Sequence, residues 1–400
     1  VNPVAITGLG LVAPHGDAPE AVFAALMQGV SALRPVFVDL PKPAVAATVA
    51  FDETRWFSKL QLAGVDRVSQ LAVAAADLAW RDAGAGLEAD PERVAVYAGC
   101  GMGGAAALET AYRSGGRVPP LTIPAFMPNA PAAHVAMRQG VKGPVLTYSV
   151  ACASSAVAIA EAARAVAAGE VDLAIAGGSE ALIVPGVVLA WQAMQTLASV
   201  PPEQAASAVR PFASDRSGFA LGEGAAFLVL ESAERARRRG ARRYATLAGW
   251  GCSSDATHLT KPDAPGQARA LRQALQRAGL QPRDVGYCNA HGTATRIGDV
   301  VERNALAEVW GDALGDLRVS STKALHGHLL GAGGALEALI TVLALHHRQL
   351  PPNAFCAEID PACQLNLVRE TGCAAPALQA AISNSFAFGG TNSVLLFTQP

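Results

Sequence analysis

Short apolar runs that end in glycine or small polar residues alternate along this chain with longer alanine-rich segments. That is the pattern of strands covered by helices in an α/β protein. Residues 93–104 (RVAVYAGCGMGG), 144–150 (PVLTYSV) and 171–181 (VDLAIAGGSEA) read as strands that end in turns. Between the last two, residues 152–168 have the length and alanine content of a buried helix, giving a βαβ unit with Cys152 at the helix N-terminus. The opening VNPVAITGLGLVAPHG reads as a strand followed by a glycine-rich turn. A break at residues 234–244 (ERARRRGARRY) precedes a second series: YATLAGWGCSS, a helix near 264–278, VGYCNAHGTAT, LRVSSTKALHGH, a helix after Gly331, and a hairpin-like pair ending AISNSFAFGGTNSVLLF. Two α/β halves, 1–240 and 241–400, fit this order better than one long unit, and no 20–50-residue repeat suggests a solenoid.

Composition sharpens the picture. Of 400 residues, 51% are hydrophobic and 16% charged, against roughly 25% charged in average soluble proteins. So little charge implies a large core and a buried subunit interface. A net charge of −2 offers no footprint for nucleic acid. The most apolar segment, residues 329–345, is glycine-rich, interrupted by Glu337 and shorter than the roughly 20 residues of a membrane span, so it reads as a buried helix. Seven cysteines without a CxxC pair or an export signal suggest neither a disulfide framework nor a zinc knuckle, and the cytoplasm is the expected compartment.

The chemistry begins with Cys152. A thiol at a helix N-terminus faces unpaired N–H groups and the positive end of the helix dipole, which favour thiolate. Those N–H groups also offer a place for negative charge to develop. The small neighbours Ala151, Ala153, Ser154 and Ser155 leave room for a substrate. His291, in NAHGTAT, and His328, in STKALHGHLLGAGG, each follow an apolar strand and precede glycine, as if delivered to one end of a sheet. Lys323 lies shortly before His328, and Glu337 on the following helix would need a cation if buried, so a Lys–Glu pair beneath the histidine competes with two separate surface charges. In NSFAFGGTN, Phe388 precedes Gly389 and Gly390, which reads either as a tight turn or as a mobile gate.

Taken in order, VACASS, AHGTAT, TKALHGHLLGAGGALE and NSFAFGGTN resemble the β-ketoacyl-acyl carrier protein synthases, the elongating condensing enzymes of the thiolase fold, and the resemblance runs from VAITGLGLVAP to residue 400. It implies a thiolase-like fold of two related α/β halves packed as a layered αβαβα body. It also implies that Cys152 accepts the acyl group and that His291 and His328 surround the malonyl carboxylate, with Lys323 and Glu337 as their supporting pair. Thr293 and Thr295 would touch the phosphopantetheine arm. Phe388 would be the gate, its N–H joining that of Cys152 in an oxyanion hole, and Phe219, in DRSGFALGEGAA, would face it. Met102 would close the acyl pocket of the partner across a two-fold interface. No metal or resident cofactor is implied, since the substrates ride on the 4'-phosphopantetheine of acyl carrier protein. The implied partners are that carrier and a second subunit, identical or fold-related.

Three positions depart from the family pattern: Ala294 where a hydroxyl residue is usual, Arg296 where proline or a small residue is usual, and His326 where threonine or a small residue is usual. His326 is open to two readings, a third titrating group near the site or a loop residue before a helix. The basic run 235–243, with Arg238 and Arg239, is either a solvated helix end or a steering patch for an acidic carrier. Within the superfamily, His328 argues against an initiating synthase, and the position of Cys373 against a thiolase. The alternative of another class is a non-catalytic partner subunit resembling a chain-length factor, which keeps the fold without the nucleophile.

Overall fold

The computed structural model describes residues 3–40, 42–84 and 89–400. Its main sheet contains eleven strands. The first half supplies β1 (Val4–Val12), β2 (Val94–Gly99), β3 (Val145–Tyr148), β4 (Leu173–Glu180) and β5 (Gly224–Ser232). They lie in the order β3-β2-β4-β5-β1, with β2 parallel to β3 and β4, and β5 antiparallel to β4 and β1. The second half repeats this with β6 (Ala245–Ser254), β7 (Tyr287–Asn289), β8 (Arg318–Ser320), β9 (Ala380–Phe386) and β10 (Thr391–Thr398). Their order is β8-β7-β9-β10-β6 with the same senses, and a two-residue strand, Asn366–Leu367, extends the edge beside β8. The halves are joined where β1 and β6 pair antiparallel, Val4 opposite Leu247 and Ile6 opposite Ala245. The two expected β layers are thus continuous through one edge.

Four helices complete the layers: α1 (Arg67–Ala83), α2 (Ser154–Ala167), α3 (Ala264–Ala278) and α4 (Gly333–His347). Helix α1 covers β1, β5 and β4 from outside, and α3 covers β6 and β10 in the same way. Between the sheet halves lie α2 and α4, and α4 touches both β5 and β9. This explains the apolar run at its heart, since every residue from Gly333 to Leu345 is buried. A helix wetted on no side needs no polar stripe.

The expected turn follows β1 at Ala13–Gly16, where Gly16 closes it with backbone bonds of 2.9 Å in both directions, but the two glycines before it are not part of it. Gly8 and Gly10 lie inside β1, where a missing side chain lets α1 approach the strand. A Cβ on Gly10 would stand 2.2 Å from the carbonyl oxygen of Ala75, and one on Gly251 of β6 would stand 1.9 Å from that of Ala270 in α3. The same device therefore seats the outer helix of each half. The inner helices cross equally closely. A Cβ on Gly334 would meet that of Ala156 at 2.8 Å, and the Ala335 N–H donates to Ser155 Oγ at 2.8 Å.

Gly251→Ala is expected to destabilise the fold by about 1–3 kcal/mol, the usual cost of overpacking. Gly315→Ala, which points into open space, should stay within about 0.5 kcal/mol. Chemical denaturation midpoints of the two variants test the difference.

Candidate active site

The helix that carries Cys152 begins two residues later than its composition suggests. Residues Ala151–Ala153 form a 3-10 turn before α2, and Ala151 takes a left-handed backbone, φ 48°. The Ser154 hydroxyl stitches this turn, donating to the Ala151 carbonyl at 2.6 Å and accepting the Val150 N–H at 2.9 Å. Gly99 permits it, because a Cβ there would lie 2.2 Å from the Ser155 nitrogen. The thiol consequently stands at the foot of α2, where the end of β2 meets the helix.

His328 is held by pairing with the Phe219 loop: its N–H donates to the Ala220 carbonyl at 2.7 Å, and its carbonyl accepts from Gly222 N–H at 2.8 Å. This puts Nε2 3.1 Å from Cys152 Sγ. On the other side of the ring, Nδ1 accepts the Leu330 N–H at 3.3 Å, and Leu330 adopts φ 46° to deliver it. With Nδ1 an acceptor, the ring proton is assigned to Nε2, facing the sulfur. His291 follows β7, its N–H and that of Gly292 donating to the Glu302 carboxylate at 2.9 and 2.7 Å. The two imidazoles stand edge to face, centroids 5.4 Å apart. The thiol and one nitrogen from each ring all lie within 4.8 Å of one another.

Electrostatics corrects one expectation. Burial pushes the Cys152 thiol up to about 12, against the lowering pull of Lys323 and of the Phe388 N–H. Desolvation outweighs both, which disfavours the thiolate at this buried position. Burial, with the Lys323 charge, also holds both imidazoles well below their ordinary value, so they are neutral hydrogen-bond donors. Lys323 and Glu337 do meet, Nζ 2.5 Å from Oε1, both buried. Burial raises Glu337 to about 7 and its lysine partner lowers it.

A cavity of about 520 Å³ opens onto these groups. Thr293 and Thr295 line it with their hydroxyl oxygens 3.1 Å apart, as do Phe219, Phe388 and Gly390. Gly389 lies beside it, its N–H donating to the Leu259 carbonyl at 2.6 Å. The glycine pair sits at φ 87° and 76°. Exposed Lys261, His258 and Arg296 are at the rim. Met102 stays outside the lining on the surface, 48% exposed, with its N–H toward Glu180.

Two readings left open by the sequence narrow here. His326 is no third titrating group: it is buried off the cavity, its Nδ1 donates to the Gly327 carbonyl at 2.7 Å, its Nε2 accepts from the Thr322 hydroxyl at 2.9 Å, and burial holds it down to about 3. Arg239 is not a free docking cation either. With the Thr7 hydroxyl it compensates the buried Glu231 carboxylate, and none of the 235–243 run lines the cavity. Sequence reasoning missed Glu302, which orients the His291 loop, and Trp191, which packs against both Phe219 and Phe388. An acid one short step beyond HGTAT was the available signal for the first; a lone tryptophan in an apolar helix offered little for the second.

Residues 1–236 match the family described as "Beta-ketoacyl synthase, N-terminal domain", and residues 244–356 "Beta-ketoacyl synthase, C-terminal domain". The chain is 40% identical over 409 residues to nodulation protein E of Rhizobium meliloti (strain 1021), covering 99% of both chains. It is 35% identical over 406 residues to 3-oxoacyl-[acyl-carrier-protein] synthase 2 of Staphylococcus aureus (strain COL), covering 98% of this chain and 97% of that one. Among solved structures, the ishigamide ketosynthase/chain length factor superposes with a TM-score of 0.92 at 32% identity, covering 100% of this chain and 99% of the other.

Removing one member of the buried ion pair strands the other charge, whereas replacing both does not. Lys323→Met or Glu337→Leu alone should cost about 3–5 kcal/mol, and the double variant much less than their sum. Unfolding measurements on the four proteins of this cycle give the comparison.

Proposed function

The chain belongs to the β-ketoacyl synthase family, and from that membership we propose that it is a condensing acyltransferase that elongates a carrier-bound acyl chain with malonyl-carrier. One observation carries the reading: Cys152, His291 and His328 converge within 4.8 Å at a cavity wide enough for a slender substrate arm. No structural feature favours the non-catalytic alternative, which would have no use for this convergence. The division of labour also follows the repeat, with the half up to residue 240 carrying the thiol and the half from 241 carrying both histidines.

In the first step the Cys152 sulfur attacks the acyl-thioester carbonyl of the carrier. A new C–S bond forms, the old one breaks, and the proton that leaves Cys152 ends on the departing pantetheine sulfur, so the exchange is proton-neutral. Malonyl-carrier then binds and its carboxylate leaves as carbon dioxide. The electron pair moves into an enolate whose oxygen takes N–H hydrogen bonds from neutral His291 and His328. The enolate carbon attacks the acyl carbonyl on Cys152, and the resulting oxyanion turns to the backbone N–H groups of Cys152 and Phe388. Collapse expels the sulfur, which takes a proton from solvent. Thr293 and Thr295 hold the phosphopantetheine arm, and Phe388, hinged on Gly389 and Gly390, admits each substrate with Phe219 behind it.

Partners follow from the same reading. An acidic carrier docks at the rim, where Lys261 and Arg296 stand, rather than on the Arg238 surface. Met102 projects from the exposed surface toward a second subunit, where it limits the partner's acyl pocket. The ishigamide neighbour is a ketosynthase/chain length factor, which supports a fold-related partner as well as an identical one. Seven free cysteines suit the reducing cytoplasm.

Cys152→Ala is expected to lose β-ketoacyl product while still releasing carbon dioxide from malonyl-carrier, which needs only the histidines. Product and gas assays run side by side decide it, and elongation by the alanine variant would sink the assignment. Lys261→Glu with Arg296→Glu should raise the Michaelis constant several-fold for carrier-bound substrate and leave a small pantetheine thioester unaffected, whereas Arg238→Glu should alter neither.

A further inference from the structure

Each histidine of the site rests on a buried carboxylate through backbone N–H groups. For His291 the acid is Glu302. For His328 it is Glu180, the last residue of β4 and fully buried. The buried acids Glu231 and Glu337 face Arg239 and Lys323, whereas Glu180 is met by the main chain. Its Oε2 accepts from Gly101 N–H at 2.8 Å and from Gly331 N–H at 3.0 Å, and its Oε1 accepts from Met102 N–H at 3.4 Å. One oxygen thus ties two distant segments. Gly101 follows β2, and Gly331 is the middle of the 3-10 turn Leu330–Ala332, which leads from His328 into α4. Both positions require glycine, since a Cβ on either would stand 2.5 Å from that oxygen.

The turn held in this way fixes the ring of His328. Leu330, next to Gly331, keeps φ 46° and gives its N–H to Nδ1 at 3.3 Å. A bond of that length is lost by a small displacement, and a left-handed leucine relaxes once its surroundings release it. Without the Glu180 oxygen, the N–H groups of Gly101 and Gly331 have no acceptor, which drives the turn to reorganise. Nδ1 then loses its donor and can itself take the ring proton, leaving Nε2 bare. A bare Nε2 cannot donate to an enolate oxygen. It can still receive the proton of Cys152.

We propose that Glu180 is a positioning residue that fixes the tautomer of His328 through the Leu330–Ala332 turn. The proposal rests on His328 serving as a donor in decarboxylation and adds what keeps it one. Glu180→Leu removes the acceptor. Glu180→Asp keeps a carboxylate but is one methylene too short to span both glycines. Glu180→Gln keeps an oxygen at the Oε2 position and gives up only the long Met102 contact. Burial raises this carboxyl to about 7, and the amide imitates its neutral form.

Three quantities would be measured on the parent and these variants: decarboxylation of malonyl-carrier, acylation of Cys152 by hexanoyl-carrier, and the 15N shifts of the histidine rings, with His328→Ala assigning its resonances. In Glu180→Leu the decarboxylation kcat should fall about 10- to 100-fold at unchanged KM, the loss that follows misplacement of a donor. Acylation should stay within about 3-fold, and the His328 shifts should move from the Nε2-protonated toward the Nδ1-protonated pattern. Glu180→Asp should behave like the leucine variant, and Glu180→Gln should recover decarboxylation to within about 3-fold of the parent. If the leucine variant does not fold, the comparison of Asp with Gln decides. Equal losses in both steps, an unmoved His328 tautomer, or a Gln variant as poor as the Asp variant would overturn the proposal and leave the condensing function standing. Decarboxylation that survives His328→Ala would overturn the donor reading and the proposal with it.

Discussion

Everything at this site depends on how closely α2 and α4 cross at their N-terminal ends. Ser155 and Ala156 on one helix meet Gly334 and Ala335 on the other, with no room for a methyl group on Gly334. Residues just upstream of two helices that meet this way are brought together without further adjustment, and those residues are Cys152 and His328. Larger side chains at the crossing would separate thiol from imidazole by the amount they separate the axes. Small residues here are thus a condition for chemistry as well as packing.

The second constraint is dryness. Burial keeps both imidazoles neutral and makes the thiol reluctant to ionise, so the protein supplies donors in fixed positions instead of net charge. The left-handed residues Ala151 and Leu330 are part of that arrangement. One aims the sulfur, and the other aims the N–H that fixes the ring proton of His328. Such backbone strain, of order 1–3 kcal/mol per residue, persists only where surrounding packing over-determines it. The Lys323–Glu337 pair lies beneath and lowers the buried charge each would present alone.

Much of the fold was legible because strands and helices write different periods into a sequence. The helix near 264–278 and the strands around 173–180 and 380–398 lie where the pattern puts them. The glycines of β1 were misread because a glycine needed for close approach looks the same in sequence as one needed for a turn. Two halves were legible from the order of elements, whereas their kinship came only from the resemblance, because what they share is a strand order and a glycine device rather than a sequence motif. At the site, residues in glycine-flanked motifs stood out, whereas His326 attracted attention as a departure from the family pattern and Arg239 as part of a basic run. Their partners, Thr322 and Glu231, lie nearby in sequence, and it is the burial of both pairs that the sequence did not disclose. Trp191 carried no local mark because its importance comes from two rings remote in sequence.

The pairing of β1 with β5 and β6 has a consequence for the making of the protein. The first strand cannot be completed on either side until more than half of the chain has left the ribosome, since its neighbours begin at Gly224 and Ala245. Contacts of such sequence separation form slowly. The nucleophile is synthesised early, yet His291, His328 and Phe388 arrive far later, and β10, which anchors the Phe388 turn, closes the sheet last of all. A nascent or truncated chain therefore carries an accessible cysteine without catalytic power, and reactivity appears only when the whole polypeptide has condensed around it.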